Sequence, residues 1–258
     1  MLIICAIIMG FLASCLSSIF GGGFGLLSVP AIFWMINHFS PETPHVMQMT
    51  IATGTLCAIP LGVIATYKQI RYKNFDLKLY KSIIIVMTIG ALIGAYLATI
   101  IDSHSLKYIF GIIVLLTAIW LLIFKASKPR KKTISKPLFK SLSSIVGGIS
   151  TLTGVSVFSV PFFILCGIEI KKAIGTSTAI VFTYTTIAGM WMICLGIPVM
   201  GINWHNLGYA NLPIFFSAFI PCILGGLVGA KLVHVLPSHF LKRIFIVMMF
   251  IVSILMLL

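Results

Sequence analysis

The sequence predicts an all-α, polytopic integral membrane protein built from two inverted repeats, each a helical hairpin of short or broken helices followed by three transmembrane helices. Three observations carry this: an extreme apolar composition, a series of long apolar runs that recurs as a second copy, and basic residues confined to the gaps between runs. Of the 258 residues, 60% are hydrophobic and 9% charged, where an ordinary soluble domain is about 25% charged. So few charges cannot cover a soluble surface, whereas lipid tails solvate apolar side chains directly.

The runs of the first half are residues 1–20, 24–37, 46–67, 79–101 and 105–124. Those of the second half are 138–152, 155–167, 173–200, 211–236 and 239–258. A membrane-spanning helix needs about 20 apolar residues. The last three runs of each half reach that length. The runs at 24–37, 138–152 and 155–167 do not, and short runs of this kind fit re-entrant or broken helices. The apolar N-terminus has neither a basic leader nor a clear small-residue cleavage site, so it is expected to belong to the folded protein.

The halves resemble each other. Ser28-Val29-Pro30 recurs as Ser159-Val160-Pro161 at an offset of 131, which also carries Gly23 onto Gly154. Gly90-Ala91-Leu92-Ile93-Gly94-Ala95 recurs as Gly225-Gly226-Leu227-Val228-Gly229-Ala230 at an offset of 135. The same offset aligns Ser103-His104-Ser105-Leu106-Lys107 with Ser238-His239-Phe240-Leu241-Lys242. Matches in one order at nearly one offset indicate duplication.

Charge sets the orientation, because Lys and Arg favour cytoplasmic loops. Lys68, Arg71, Lys73, Lys78 and Lys81 place the loop after the third run inside. The basic linker at 125–140 is also cytoplasmic, as are Lys171, Lys172, Lys231, Lys242 and Arg243. Seventeen of the 18 basic residues then lie inside, all but Lys107. Glu42, Asp102 and the uncharged loop at 201–210 fall outside, as do both termini. The first repeat is residues 1–124 with its hairpin at 1–38; the second is 141–258 with its hairpin at 141–167. Equivalent runs enter from opposite sides, which is the inversion.

Inverted repeats with interrupted helices place a binding site near the midplane, where the interruptions meet. The first interruption is Gly21-Gly22-Gly23-Phe24-Gly25 and the second runs from Thr151 to Ser156. Glycine permits a sharp turn with exposed N–H groups, and a helix restarting there points its positive end at the site. The candidate substrate-binding residues are therefore Gly21, Gly22, Gly23, Gly25 and Ser28, with Thr153, Gly154, Ser156 and Ser159 from the second break. Thr50, Thr176 and Ser177 add hydroxyls at the starts of the third runs, able to donate to an oxyanion. The same glycines would serve close helix packing, and the same hydroxyls would serve capping or bonding to the preceding turn. With no carboxylate deep in a run, a small weakly basic anion suits the site better than a metal cation.

Other classes are disfavoured. The six cysteines lie in apolar runs without metal-ligand spacing, so neither a disulfide framework, a metal site nor a cofactor is expected. No intramembrane cluster of His, Asp, Glu or Ser would support an enzyme. The net charge of +14 is read as topology signal, with no nucleic-acid partner. The expected partners are membrane lipid and a small anionic substrate, and a homo-oligomer is compatible with this reading. Ser103 and Ser238 read as helix N-caps, and Trp34 and Trp204 as interface anchors.

At the glycine break with Val29-Pro30, its copy from Gly154 to Val160-Pro161, and the run Lys171-Lys172-Ala173-Ile174-Gly175-Thr176-Ser177, the chain resembles the TauE/SafE sulfite exporter family, also described as probable membrane transporters. The resemblance covers nearly the whole chain. It implies a secondary transporter moving sulfite, an organosulfonate, thiosulfate or a similar anion across a bacterial inner membrane by alternating access. The alternatives left open are a different small organic anion and a non-transport role as a membrane assembly partner. Cysteine-accessibility labelling should find residues 39–45 and 168–172 on opposite faces of the membrane; a common face would refute the inversion.

Overall fold

A bilayer core offers no water to a free amide or carbonyl, so apolar runs of this length close their backbone bonds as helices. The protein is described from a computed structural model over residues 1–20, 23–123, 135–232 and 238–258. Its first half forms α1 (Leu2–Phe20), α2 (Phe24–Phe39), α3 (Val46–Arg71), α4 (Leu77–Ile100) and α5 (Ser103–Ile123). Its second half forms α6 (Lys136–Thr153), α7 (Ser159–Leu165), α8 (Ile170–Met200), α9 (Leu212–Leu232) and α10 (Ser238–Leu257). A small antiparallel hairpin, β1 (Asn206–Leu207) with β2 (Ala210–Asn211), joins α8 to α9. Among the described residues α1, α3, α4, α5, α8 and α9 are long and apolar enough to cross a membrane, so the chain is an all-α polytopic membrane protein. Its outer surface agrees: Ile85, Ile89, Ile93 and Ile100 on α4, and Ile112, Leu116 and Ile123 on α5, are exposed stripes that only lipid would cover. Trp34 and Trp204 are exposed as well.

Glycine determines which helices meet. On α4, a Cβ at Gly90 or Gly94 would collide with the backbone carbonyls of Ser144 and Gly148 on α6. On α9, a Cβ at Gly225 or Gly229 would collide with the carbonyls of Phe11 and Cys15 on α1. Each half thus lends its first helix to the fourth helix of the other. The small-xxx-small spacing lets two backbones touch, which is how helices associate where lipid is as apolar as leucine. The third helices, α3 and α8, pack on each other in the middle and run antiparallel: Gly62 meets Phe182, while Gly189 meets Thr55 and Leu56. The fifth helices, α5 and α10, also pair, with the Ser253 hydroxyl donating to the Gly111 carbonyl at 2.9 Å.

Loops gather at the two ends of this bundle. At one end the buried Gln48 donates to the Ile101 carbonyl (2.6 Å) and accepts from the Ser103 hydroxyl (2.7 Å), and His45 lies edge-on to Tyr209 at 5.8 Å. At the other end Gly175, beside Lys171 and Lys172, packs against the Asn74 backbone. The 39–45 and 168–172 segments therefore lie at opposite ends of α3.

Three local expectations are revised. The linker expected at 125–140 falls largely outside the described residues, but its last residues are helical, because α6 starts at Lys136 with Pro137 in its first turn. Proline is tolerated there, its missing N–H being one a helix start leaves unpaired anyway. The loop at 201–210 contains the β-hairpin, whose two-residue strands are too short to show a period in sequence. Asp102, not Ser103, caps α5: its carboxylate accepts the Ser105 N–H at 2.8 Å, and that bond holds the carboxyl below its usual range. Ser103 is instead committed to Gln48. The equivalent Ser238 and His239 side chains lie outside the described residues. Gly94→Leu should drive α4 and α6 apart and cause loss of the folded, monodisperse protein in detergent chromatography, whereas Ile93→Leu on the lipid face should leave it unchanged.

Candidate functional site

The two breaks meet back to back. Gly23 begins α2 at φ 101° and Gly154 ends α6 at φ 71°, both in the left-handed region that glycine enters without strain. Gly25 lies so close to Gly154 that a Cβ there would overlap the Gly154 carbonyl oxygen. A Cβ on Gly23 would sit 3.1 Å from Val157, and one on Gly154 would sit 3.1 Å from Val29. Gly21 and Gly22 lie outside the described residues.

A cavity of about 320 Å3 borders this junction, within the range of small-molecule sites. Phe24 from the first break and Ser156 from the second line it, with Ser17 and Ser18 from the end of α1. One stripe of α3 (Ala58, Leu61, Gly62, Ala65, Lys68, Tyr72) and one of α8 (Thr178, Val181, Phe182, Thr185) form its walls, each at helical spacing. The α9 wall is small, at Gly226 and Ala230. Lys68, Gln69, Tyr72 and Asn74 form the mouth, and the Asn74 amide donates to Gln69 Oε1 at 3.0 Å. Lys68 is half-buried and is the only charged side chain in the lining among the described residues. With serine and threonine hydroxyls, one ammonium and no carboxylate, the cavity can donate hydrogen bonds and balance a negative charge.

Of the other residues singled out from sequence, Gly23, Gly25 and Gly154 shape the junction without lining the cavity. Ser28 and Ser159, equivalent in the repeat, are fully buried with hydroxyls that have no hydrogen-bond partner. Thr153 donates to the Ile149 carbonyl at 2.8 Å and Thr50 to Val46 at 2.8 Å, the bond to the preceding turn that was the alternative role. Thr176 accepts the Asp76 N–H at 3.0 Å, tying the start of α8 to the start of α4. Thr53 on α3 accepts the Asn211 N–H at 2.9 Å, a matching latch to the start of α9. Ser177 is buried. The lining missed from sequence is Ser17, Ser18, Lys68, Gln69, Asn74, Thr178 and Thr185. The helical spacing of Thr178 and Thr185 on one face of α8 was a usable signal; Lys68 was read only for topology.

Spanning helices around a cavity with a polar mouth define a multi-pass membrane protein built to hold a small solute. The sequence profile described as sulfite exporter TauE/SafE matches residues 6–256, and the chain belongs to that family of membrane transporters. It is 26% identical over 245 residues to a probable membrane transporter protein of Methanocaldococcus jannaschii, covering 90% of this chain and 87% of the relative. It is 27% identical over 265 residues to a probable membrane transporter protein of Haemophilus influenzae, covering 98% and 97% of the two chains. It is also 27% identical over 228 residues to the probable membrane transporter protein YfcA of Escherichia coli, covering 86% and 77%. No solved structure is significantly similar to the chain.

Thr176→Val keeps the shape but strands the Asp76 amide, and should cost about 1 kcal/mol of stability, read as a lower melting temperature in detergent. Thr50→Val, whose hydroxyl bonds only within its own helix, should cost less.

Proposed function

We propose that the chain is a secondary transporter that carries a small sulfur-containing anion across the cytoplasmic membrane by alternating access. The observation that carries this reading is the cavity: it runs from the junction of the two breaks to Lys68, sets serine hydroxyls and one ammonium in a mostly apolar wall, and has no carboxylate among its described lining. An oxyanion would bind at Ser17, Ser18 and Ser156, beside the broken-helix junction, with Lys68 drawing it in through the mouth. The glycines at 23, 25 and 154 act by letting the breaks meet. The sulfur chemistry of the substrate is supported by the family description alone.

Inverted insertion of the halves is supported by the antiparallel course of the equivalent helices α3 and α8. The end bearing Lys68, Arg71, Lys73, Lys171 and Lys172 is cytoplasmic by the positive-inside rule. In that frame the cavity opens to the cytoplasm and both termini are external.

Purified protein in proteoliposomes should take up labelled sulfite, thiosulfate or sulfoacetate in preference to a dicarboxylate. Lys68→Gln should slow that uptake about tenfold, an interaction of about 1.4 kcal/mol. Uptake of the dicarboxylate alone would refute the sulfur-anion assignment, and uptake of none would refute the site.

A further inference from the structure

The open cavity has a sealed counterpart in the same molecule. Gly225 meets the Phe11 carbonyl as Gly90 meets that of Ser144, and Gly229 meets Cys15 as Gly94 meets Gly148. These contacts pair α1 with α6 residue by residue, so Ser17 corresponds to Ser150 and Ser18 to Thr151. On α3 and α8 the contact of Gly62 with Phe182 is mirrored by that of Gly189 with Thr55, and Tyr184 is fully buried on α8. Gly226 and Ala230 correspond to Ala91 and Ala95 at the repeat offset. The first member of each pair lines the cavity. The second members are closed off: Ser150 is 1% exposed and Thr151, Ala91 and Ala95 are 0% exposed, as is Tyr184.

The sealed set also holds three buried hydroxyls. The Tyr184 hydroxyl lies near the hydroxyls of Ser150 and Ser159, yet none of the three makes a hydrogen bond of proper geometry. Buried hydroxyls are almost always paired, because leaving them dry and unpaired is unfavourable. Three together call for a second state in which they are wetted. When the halves of an inverted repeat exchange conformations, each takes the shape of the other. Closing the inner cavity then opens this region.

We infer that Ser150, Thr151, Ser159 and Tyr184 line the outer half of the translocation pathway, shut in this conformation, and contact the same oxyanion when the inner mouth closes. This rests on the transporter reading above. The hydroxyls of Ser150, Ser159 and Tyr184 supply the donors that Ser17 and Ser18 supply on the inner side, while Thr151, whose hydroxyl bonds to the Gly147 carbonyl, adds to the wall. The small residues Ala91 and Ala95 allow the helices to close over them now.

Single cysteines tested with a small membrane-impermeant thiol reagent, with the modified peptide located by mass spectrometry, separate the outcomes. Ser150→Cys and Thr151→Cys should label from the outer face of intact cells about tenfold faster than the core control Val114→Cys, as expected for an open state populated at about 1–10%. Ser17→Cys should label from the inner face of everted vesicles. If Ser17→Cys labels from inside while Ser150→Cys and Thr151→Cys label no faster than the control, the outer pathway is refuted and the inner cavity stands. If Ser17→Cys labels only from outside, the transporter orientation and this inference fall together. Tyr184→Phe removes an unpaired oxygen, so its melting temperature should be unchanged or higher; a fall would mean the hydroxyl is structural and would overturn the assignment.

Discussion

Backbone contact at glycine is the interaction on which this structure depends. Lipid gives apolar helices no reason to leave it, so association must come from close van der Waals approach and from polar groups facing inward. Gly90 and Gly94 bring α4 onto the α6 backbone, and Gly225 and Gly229 do the same for α9 on α1. Gly25 brings the start of α2 against the end of α6. Each of these contacts joins one half of the chain to the other. The halves are therefore interlocked, and neither has the partner surface to close a bundle alone.

That interlocking leaves a limited set of places for polar side chains, and the hydroxyls divide accordingly. Thr50, Thr151, Thr178 and Thr186 return their hydroxyls to carbonyls four residues back, which satisfies them inside hydrocarbon. Thr53 and Thr176 reach across the bundle to backbone amides at the starts of α9 and α4. Ser17, Ser18 and Ser156 border the cavity. Ser28, Ser150, Ser159 and Tyr184 are sealed without a partner.

Much of the fold was legible in the sequence because its signals are local. An apolar run reports a helix whatever its neighbours, and Lys or Arg between runs reports which ends lie together; Gly175 against Asn74 bears out that grouping. The likeness of Gly90–Ala95 to Gly225–Ala230 was legible too, and both runs perform the same packing task. Thr50, Thr176 and Thr178 show the limit. All three stand near the start of a third helix; Thr50 and Thr178 both bond to their own turn but only Thr178 also borders the cavity, while Thr176 latches a distant loop. Composition and spacing cannot separate these roles, because they depend on the helix face that each neighbour covers.

The amino-acid order alone determined that this chain lives in a membrane, which stretches of it are helical, and which of its apolar runs are short or interrupted. Those properties follow from hydropathy, glycine and charge, which act over a few residues at a time. Only the tertiary structure decided that the first helix of each half packs on the other half, that the breaks touch through Gly25 and Gly154, and that open space falls at Ser17, Ser156 and Lys68 instead of at the glycines. A cavity is what packing leaves unfilled, and that depends on residues far apart in the chain coming together.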